Sequence, residues 1–181
     1  VLMAQAPTGI GKTVGTLYPL LRALPPDPRK ADGSAPGLDR VFYLAAKTPG
    51  RRLALDALGT LRERPGQAPL PLRVLELTAR DKACEHPDKA CHGESCPLAR
   101  GFWDRLPAAR QAAVDAVEGT GGTLLDKAAL RTLALAHSVC PYYLAQELSR
   151  WADVVVGDYN YWFDSAALLH ALTVQEGWRA G

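Results

Sequence analysis

Hydrophobic positions fall into two regimes along the chain. Val1-Leu2-Met3-Ala4 is an apolar run, and after a glycine-rich break Val14, Leu17, Leu20 and Leu21 recur at a spacing that suits one face of a helix. Residues 25–37, PPDPRKADGSAPG, are turn-formers and predict a surface loop. RVFYLAA, 40–46, is β-prone and apolar on successive positions, as a strand covered on both faces would be. RRLALDALGTLR, 51–62, predicts an amphipathic helix, and LRVLEL, 72–77, a third strand. Strands alternating with helices predict a parallel α/β sheet whose connections pass through the helices.

From Thr78 to about Cys140 the alternation stops. This stretch holds all four cysteines, and it predicts helices over 98–118 and 124–137 separated by a GTGG turn at 119–122. It reads as a mostly helical, cysteine-rich insertion. A helix over 142–152 and a strand over 153–159, DVVVGDY, then resume the first regime. The expected organisation is 1–77, the first part of an α/β domain; 78–141, the insertion; and 142–181, the return to the sheet.

Composition narrows the class without naming a function. A chain of 181 residues with 48% hydrophobic and 22% charged residues suits one globular domain, or one domain with an insertion. No apolar stretch approaches the roughly 20 residues needed to span a bilayer, so no membrane partner is expected. A net charge of +2 argues nothing about nucleic acid by itself, because 21 basic residues nearly balance 19 acidic ones. The first residues show no charged leader, and a cytoplasmic location is the expectation.

The break after the first strand carries chemistry. In AQAPTGIGKT, residues 4–13, Gly9 and Gly11 let backbone N–H groups converge on a polyphosphate. Lys12 supplies a point charge for the outer phosphates, and Thr13 opens a helix where its hydroxyl can bind Mg²⁺. Ala6, Pro7, Thr8 and Ile10 complete the loop. Ala6 stands where the strict Walker pattern has glycine, and Ala-x-x-Gly-x-Gly-Lys-Thr is the form that resembles helicase motif I.

Cys84, Cys91, Cys96 and Cys140 are separated by six, four and 43 residues, with no Cys-x-x-Cys pair. Structural zinc favours two to four residues between paired ligands, a habit only Cys91 and Cys96 approach. An iron–sulfur cluster tolerates wider spacing, because its thiolates reach the corners of a larger object. Cluster, zinc site and disulfide or inert thiols all stay open on spacing alone. His86 and His92 lie among polar residues and read as solvated side chains.

Four segments together resemble the iron–sulfur helicases of superfamily 2, the XPD and DinG branch. APTGIGKT is similar to motif I and VFYLAAKT to motif Ia; ARDKACEHP is similar to the entry of that branch into its cluster domain, and CPYYLAQELSRWADVVVGDYNYWFD to the exit and return strand. They occur in the family's order. The resemblance implies a RecA-like motor domain using ATP and Mg²⁺, with a [4Fe–4S] cluster domain inserted between motif Ia and the DEAH box. It makes Cys84, Cys91, Cys96 and Cys140 the cluster ligands and sets Arg80 close to cluster and DNA. It also implies single-stranded or 5′-tailed duplex DNA as substrate, with 5′→3′ unwinding.

Motif Ia of that family faces the DNA backbone, and here Lys47, Thr48, Arg51 and Arg52 offer cations and donors for phosphates. The plainer reading of Arg51 and Arg52 is a solvated first helical turn. Around the cysteines, Arg80, Lys82, Lys89, Arg100, Arg105 and Arg110 give a local basic excess with Phe102 and Trp103 interleaved. Both rings read as anchors for their helix. No Asp-Glu-Ala-His occurs in the 181 residues, so the chain reads as a motor-domain segment cut before motif II. The rival expectation is a non-motor module that binds nucleotide and DNA and holds a zinc or iron–sulfur site.

Overall fold

A computed structural model describes residues 5, 7, 9–25, 37–63, 71–119, 122–164 and 167–181. The expected first strand, Val1 to Ala4, lies outside the described residues, as do Ala6, Thr8 and most of the loop expected at 25–37.

Three strands form a parallel sheet: β1 (Val41–Leu44), β2 (Val74–Glu76) and β3 (Val154–Gly157), in the order β1-β3-β2. The last strand in sequence is therefore central. Its residues Val154, Val155 and Val156 are wholly buried, as β-branched side chains on a doubly covered strand should be. Successive side chains point to opposite faces. Val154 and Val156 pack with Val41, Val74, Leu17 of α1 (Lys12–Ala23), and Ala54, Leu55 and Leu58 of α2 (Thr48–Arg62). Val155 joins the opposite cluster.

That opposite face is covered by the segment between β2 and β3. After β2 come the short helix α3 (Arg80–Ala83), a cysteine-bearing stretch of turns, then α4 (Phe102–Glu118), α5 (Lys127–Ala136) and α6 (Pro141–Leu148). Leu106, Ala109, Ala113 and Val117 of α4 recur at helical spacing and share one core with Leu130, Leu144, Leu148, Leu75, Leu77 and Val155. The helices between β2 and β3 are one layer packed on the sheet. Two short helices complete the order, α7 (Asn160–Phe163) and α8 (Leu168–Glu176).

Several boundaries differ from expectation for local reasons. α2 starts at Thr48 because Pro49 fits the first turn, where its missing N–H is no loss. Residues 124–126 are extended, not helical: Leu125 N–H donates to the Val74 carbonyl and Glu76 N–H to that of Leu125, at 3.0 and 2.9 Å. Asp126 then caps α5 by accepting from Ala129 N–H at 2.8 Å. α6 stops at Leu148, not at residue 152, and β3 at Gly157, where Asp158 accepts from Asn160 N–H at 3.0 Å and turns the chain.

At the amino ends of the strands, the fully buried Asp153 accepts from the backbone N–H and Nε of Arg73, at 2.9 and 3.0 Å, and pairs with its Nη2. This bidentate pair ties β2 to β3. On the outer edge of β1, Phe42 N–H donates to the Gly181 carbonyl and Gly181 N–H to that of Arg40, at 2.9 and 3.0 Å.

Candidate functional site

The phosphate-loop residues that the structure describes are Pro7, Gly9, Ile10, Gly11, Lys12 and Thr13. Gly9 and Gly11 have φ of +84° and +77°, and among the described residues, their chain neighbours aside, no atom lies within 4 Å of where a Cβ would sit. Backbone conformation selects glycine here, not lack of space. Gly11 is the N-cap of α1 and no side chain caps it; no acidic residue stands in the first turn. The open N–H groups and the positive end of the helix dipole face outward, which favours an anion. Lys12 is exposed and its Nζ donates to the Pro7 carbonyl at 2.6 Å, curling over the loop.

A second feature gathers residues that follow the carboxyl ends of all three strands. Arg51 comes from α2 behind β1, Leu77, Ala79, Arg80 and Lys82 from behind β2, and Asp158, Asn160, Tyr161 and Asp164 from behind β3; Tyr142, Gln146 and Leu168 close it. The groove measures about 380 Å³. Ligands of open α/β sheets bind at this end. Tyr161 donates its hydroxyl to the Thr78 carbonyl at 3.1 Å, and burial pushes its pKa up to about 12.

The residues expected to meet DNA divide here. Lys47, Thr48, Arg52 and Arg80 are exposed, and Arg52 pairs with Asp56 one turn on at 3.0 Å. Arg51 is buried, and its guanidinium donates to the Ala45 carbonyl at 3.1 Å, to Thr48 Oγ1 at 3.0 Å and to Asp158 at 3.3 Å. A solvated turn is therefore not where Arg51 sits. Of the basic residues near the cysteines, Arg100 and Arg105 donate to backbone carbonyls, Arg100 to Gly93 and Arg105 to Pro97 and Arg100. They brace the loop. Phe102 is buried as an anchor, but Trp103 is 71% exposed and stands edge-to-face on Phe102.

The third feature is the cysteines. All four thiols are free, and Cys84, Cys91, Cys96 and Cys140 line one narrow pocket with Glu85, His86, Lys89, Leu98, Ala99 and Tyr143. Cys140 is the N-cap of α6. Burial pushes its thiol up; the N–H groups of Tyr143 and Tyr142 pull it down, while Cys84 and Cys96 add repulsion. Among the described residues, no three His, Cys, Asp or Glu side chains are grouped as a metal-holding set. His86 reaches this pocket, which its polar sequence context did not signal.

Asp158, Tyr142, Gln146 and Asn160 of the groove were not singled out from sequence. For Asp158 and Asn160 the available signal was positional, since the short segment after a parallel strand is a site segment; Tyr142 and Gln146 stand on α6 and carried no such signal. Among the described residues no helix is long and apolar enough to cross a membrane.

Comparison with known proteins agrees with this layout. The sequence profile of the DEAD_2 family matches residues 70–176, from just before β2 to the end of α8. The chain is also 29% identical over 107 residues to a regulator of telomere elongation helicase 1 homolog of Culex quinquefasciatus, an alignment covering 53% of this chain and 10% of that protein. The chain thus spans about a tenth of the length of that curated relative. The profile takes in β2, the cysteine pocket, β3 and the groove residues other than Arg51, and the chain belongs to the DEAD_2 family of superfamily 2 helicases.

Proposed function

We propose that this chain is the nucleotide- and strand-binding part of an ATP-dependent DNA helicase, with ATP-Mg on the loop Ala6 to Thr13 and single-stranded DNA along the groove at the strand ends. The observation that carries the reading is the groove at the strand ends, where Arg80 and Lys82 of α3 offer exposed cations beside the segments that follow β1 and β3. Cations along a groove follow a phosphate backbone, and Tyr142 and Tyr161 on its wall add aromatic surface. Lys47, Thr48, Arg52 and Arg80 provide direct phosphate contacts, while Arg51 shapes the turn that presents them.

What supports a [4Fe–4S] cluster is donor chemistry, since four thiols free of disulfides line one pocket, three of them on a loop with little core, though they are not drawn together as a metal-holding set here. Cys84, Cys91, Cys96 and Cys140 would hold the cluster, which supplies cross-links between the loop and the N-terminus of α6. The organisation is accordingly a RecA-like domain, 1–77 and 142–181, around a cluster insertion, 78–141. No Asp-Glu-Ala-His is present in the chain, so by itself it binds nucleotide without turnover, and hydrolysis and 5′→3′ unwinding belong to the intact enzyme.

Two measurements test this. Fluorescence anisotropy of a labelled oligo-dT should show binding that weakens in Lys47→Ala and Arg80→Ala, with the slope of log K against log salt falling by about 0.7 for each contact removed. Strand displacement by the full-length protein should use 5′-tailed duplexes. Binding indifferent to both substitutions would refute the groove, and exclusive use of 3′ tails would refute the polarity.

A further inference from the structure

The groove contains a puzzle of charge. A carboxylate lining a path for a polyanion should repel it, yet Asp158 lines this groove beside Arg51, Arg80 and Lys82. Its two oxygens have separate tasks. Oδ1 accepts from Asn160 N–H at 3.0 Å, which fixes the carboxylate on the turn after β3; Oδ2 accepts from Arg51 Nη1 at 3.3 Å. The Arg51 side chain is only 9% exposed, so its cation is held in the protein and is not offered to solvent.

The other end of the guanidinium shows the purpose. Nη2 donates to Thr48 Oγ1 at 3.0 Å, and Nη1 also donates to the Ala45 carbonyl at 3.1 Å. A guanidinium has donors and no acceptor, so the Thr48 hydroxyl receives from it and must direct its own proton elsewhere. Thr48 is exposed at the start of α2. Its hydroxyl is thereby preset as an outward donor.

We infer that Asp158 is a positioning residue for strand binding: through Arg51 it fixes the Thr48 hydroxyl and the first turn of α2 in the orientation that meets a DNA phosphate. The inference rests on the reading of the α2 start as a strand contact. It joins two segments 107 residues apart, so the return from the cysteine insertion sets the geometry of the phosphate contact behind β1.

The sign of the effect makes it testable. Asp158→Asn removes a negative charge from the groove, and electrostatics alone predicts tighter DNA binding. Positioning predicts weaker binding, by about fivefold, the size of one lost hydrogen bond. With labelled oligo-dT and this chain, Asp158→Asn and Thr48→Val should each weaken binding, and the double variant should be no weaker than either single one, because both remove the same contact. Asp158→Glu should restore most of the affinity. Should Asp158→Asn fail to fold, Arg51→Lys keeps the net charge but cannot span Asp158 and Thr48 together, and it should weaken binding at unchanged salt slope. Unchanged or tighter binding by Asp158→Asn, or additive losses in the double variant, would overturn the inference while a loss in Arg80→Ala leaves the groove reading standing. If Lys47→Ala and Arg80→Ala also bind normally, both fall.

Discussion

The segment between β2 and β3 contains two regions held by different means. In the cysteine loop, 84–101, backbone hydrogen bonds join near neighbours, such as Cys96 N–H to the His92 carbonyl and Arg100 N–H to that of Cys96, and Cys96 is its one buried residue among those described. In α4, α5 and α6, Leu106, Ala109, Leu130 and Leu144 enter a core continuous with the sheet. The contrast teaches that length of insertion is no measure of independence. The helices are stabilised by apolar burial, whereas the loop has short turns, the Glu85–Arg131 pair at 2.6 and 2.7 Å, and its thiols.

The largest effect should come from the helical region. Leu144→Ala opens a cavity at a wholly buried position and should cost about 2–5 kcal/mol in urea unfolding, with sheet and helices melting together. Separate transitions for the two would break the claim of a shared core. The next effect isolates the loop: Cys140→Ser should remove bound iron and open 84–101 to limited proteolysis while α4 to α6 stay resistant. Cutting spread through the helices would show that the thiols hold more than the loop.

Two smaller effects depend on pH. Tyr161 tethers the segment after β3 to Thr78 at the start of the insertion. Its folded pKa of about 12 lies above the unfolded value near 10, so the fold binds the proton more tightly. That contribution is present below pH about 10 and is lost as pH rises toward 12. Alkaline unfolding monitored by circular dichroism should therefore be shallower in Tyr161→Phe, and an identical profile would remove the tether from the account. Smallest is Asp39, held below the usual carboxylate range first by its hydrogen bond from Arg179. Its stabilisation is present above the unfolded pKa and lost as acid protonates it, and Asp39→Asn should flatten the acid limb slightly, as befits an exposed pair.

Much of the sheet was legible because buried parallel strands announce themselves: Val154 to Val156 are three β-branched residues in a row. The helices of the insertion were legible as helices, but a stripe such as Ala109, Ala113 and Val117 names no partner, so their place on the sheet was not. Because the core of these helices is shared with the sheet, loss of a cluster should loosen the cysteine loop and not the whole of 78–141. Leu125 was misread as helical because its pairing with Leu75 is tertiary. In the candidate site, the glycine-rich loop is local, and the need for glycine at positions 9 and 11 was readable. The fate of Arg51 was not, since its partner Asp158 lies in another segment, brought near only by the parallel pairing of β1 and β3.

The central claim, that core holds the helices and a cluster holds the loop, is tested most directly by metal analysis of the anaerobically purified chain. The account predicts brown protein with about four irons and four sulfides per chain, lost in Cys84→Ser and Cys140→Ser without loss of helix content. Colourless protein holding one zinc after strictly anaerobic preparation, or a folded cysteine loop equally protease-resistant with no metal at all, would contradict it.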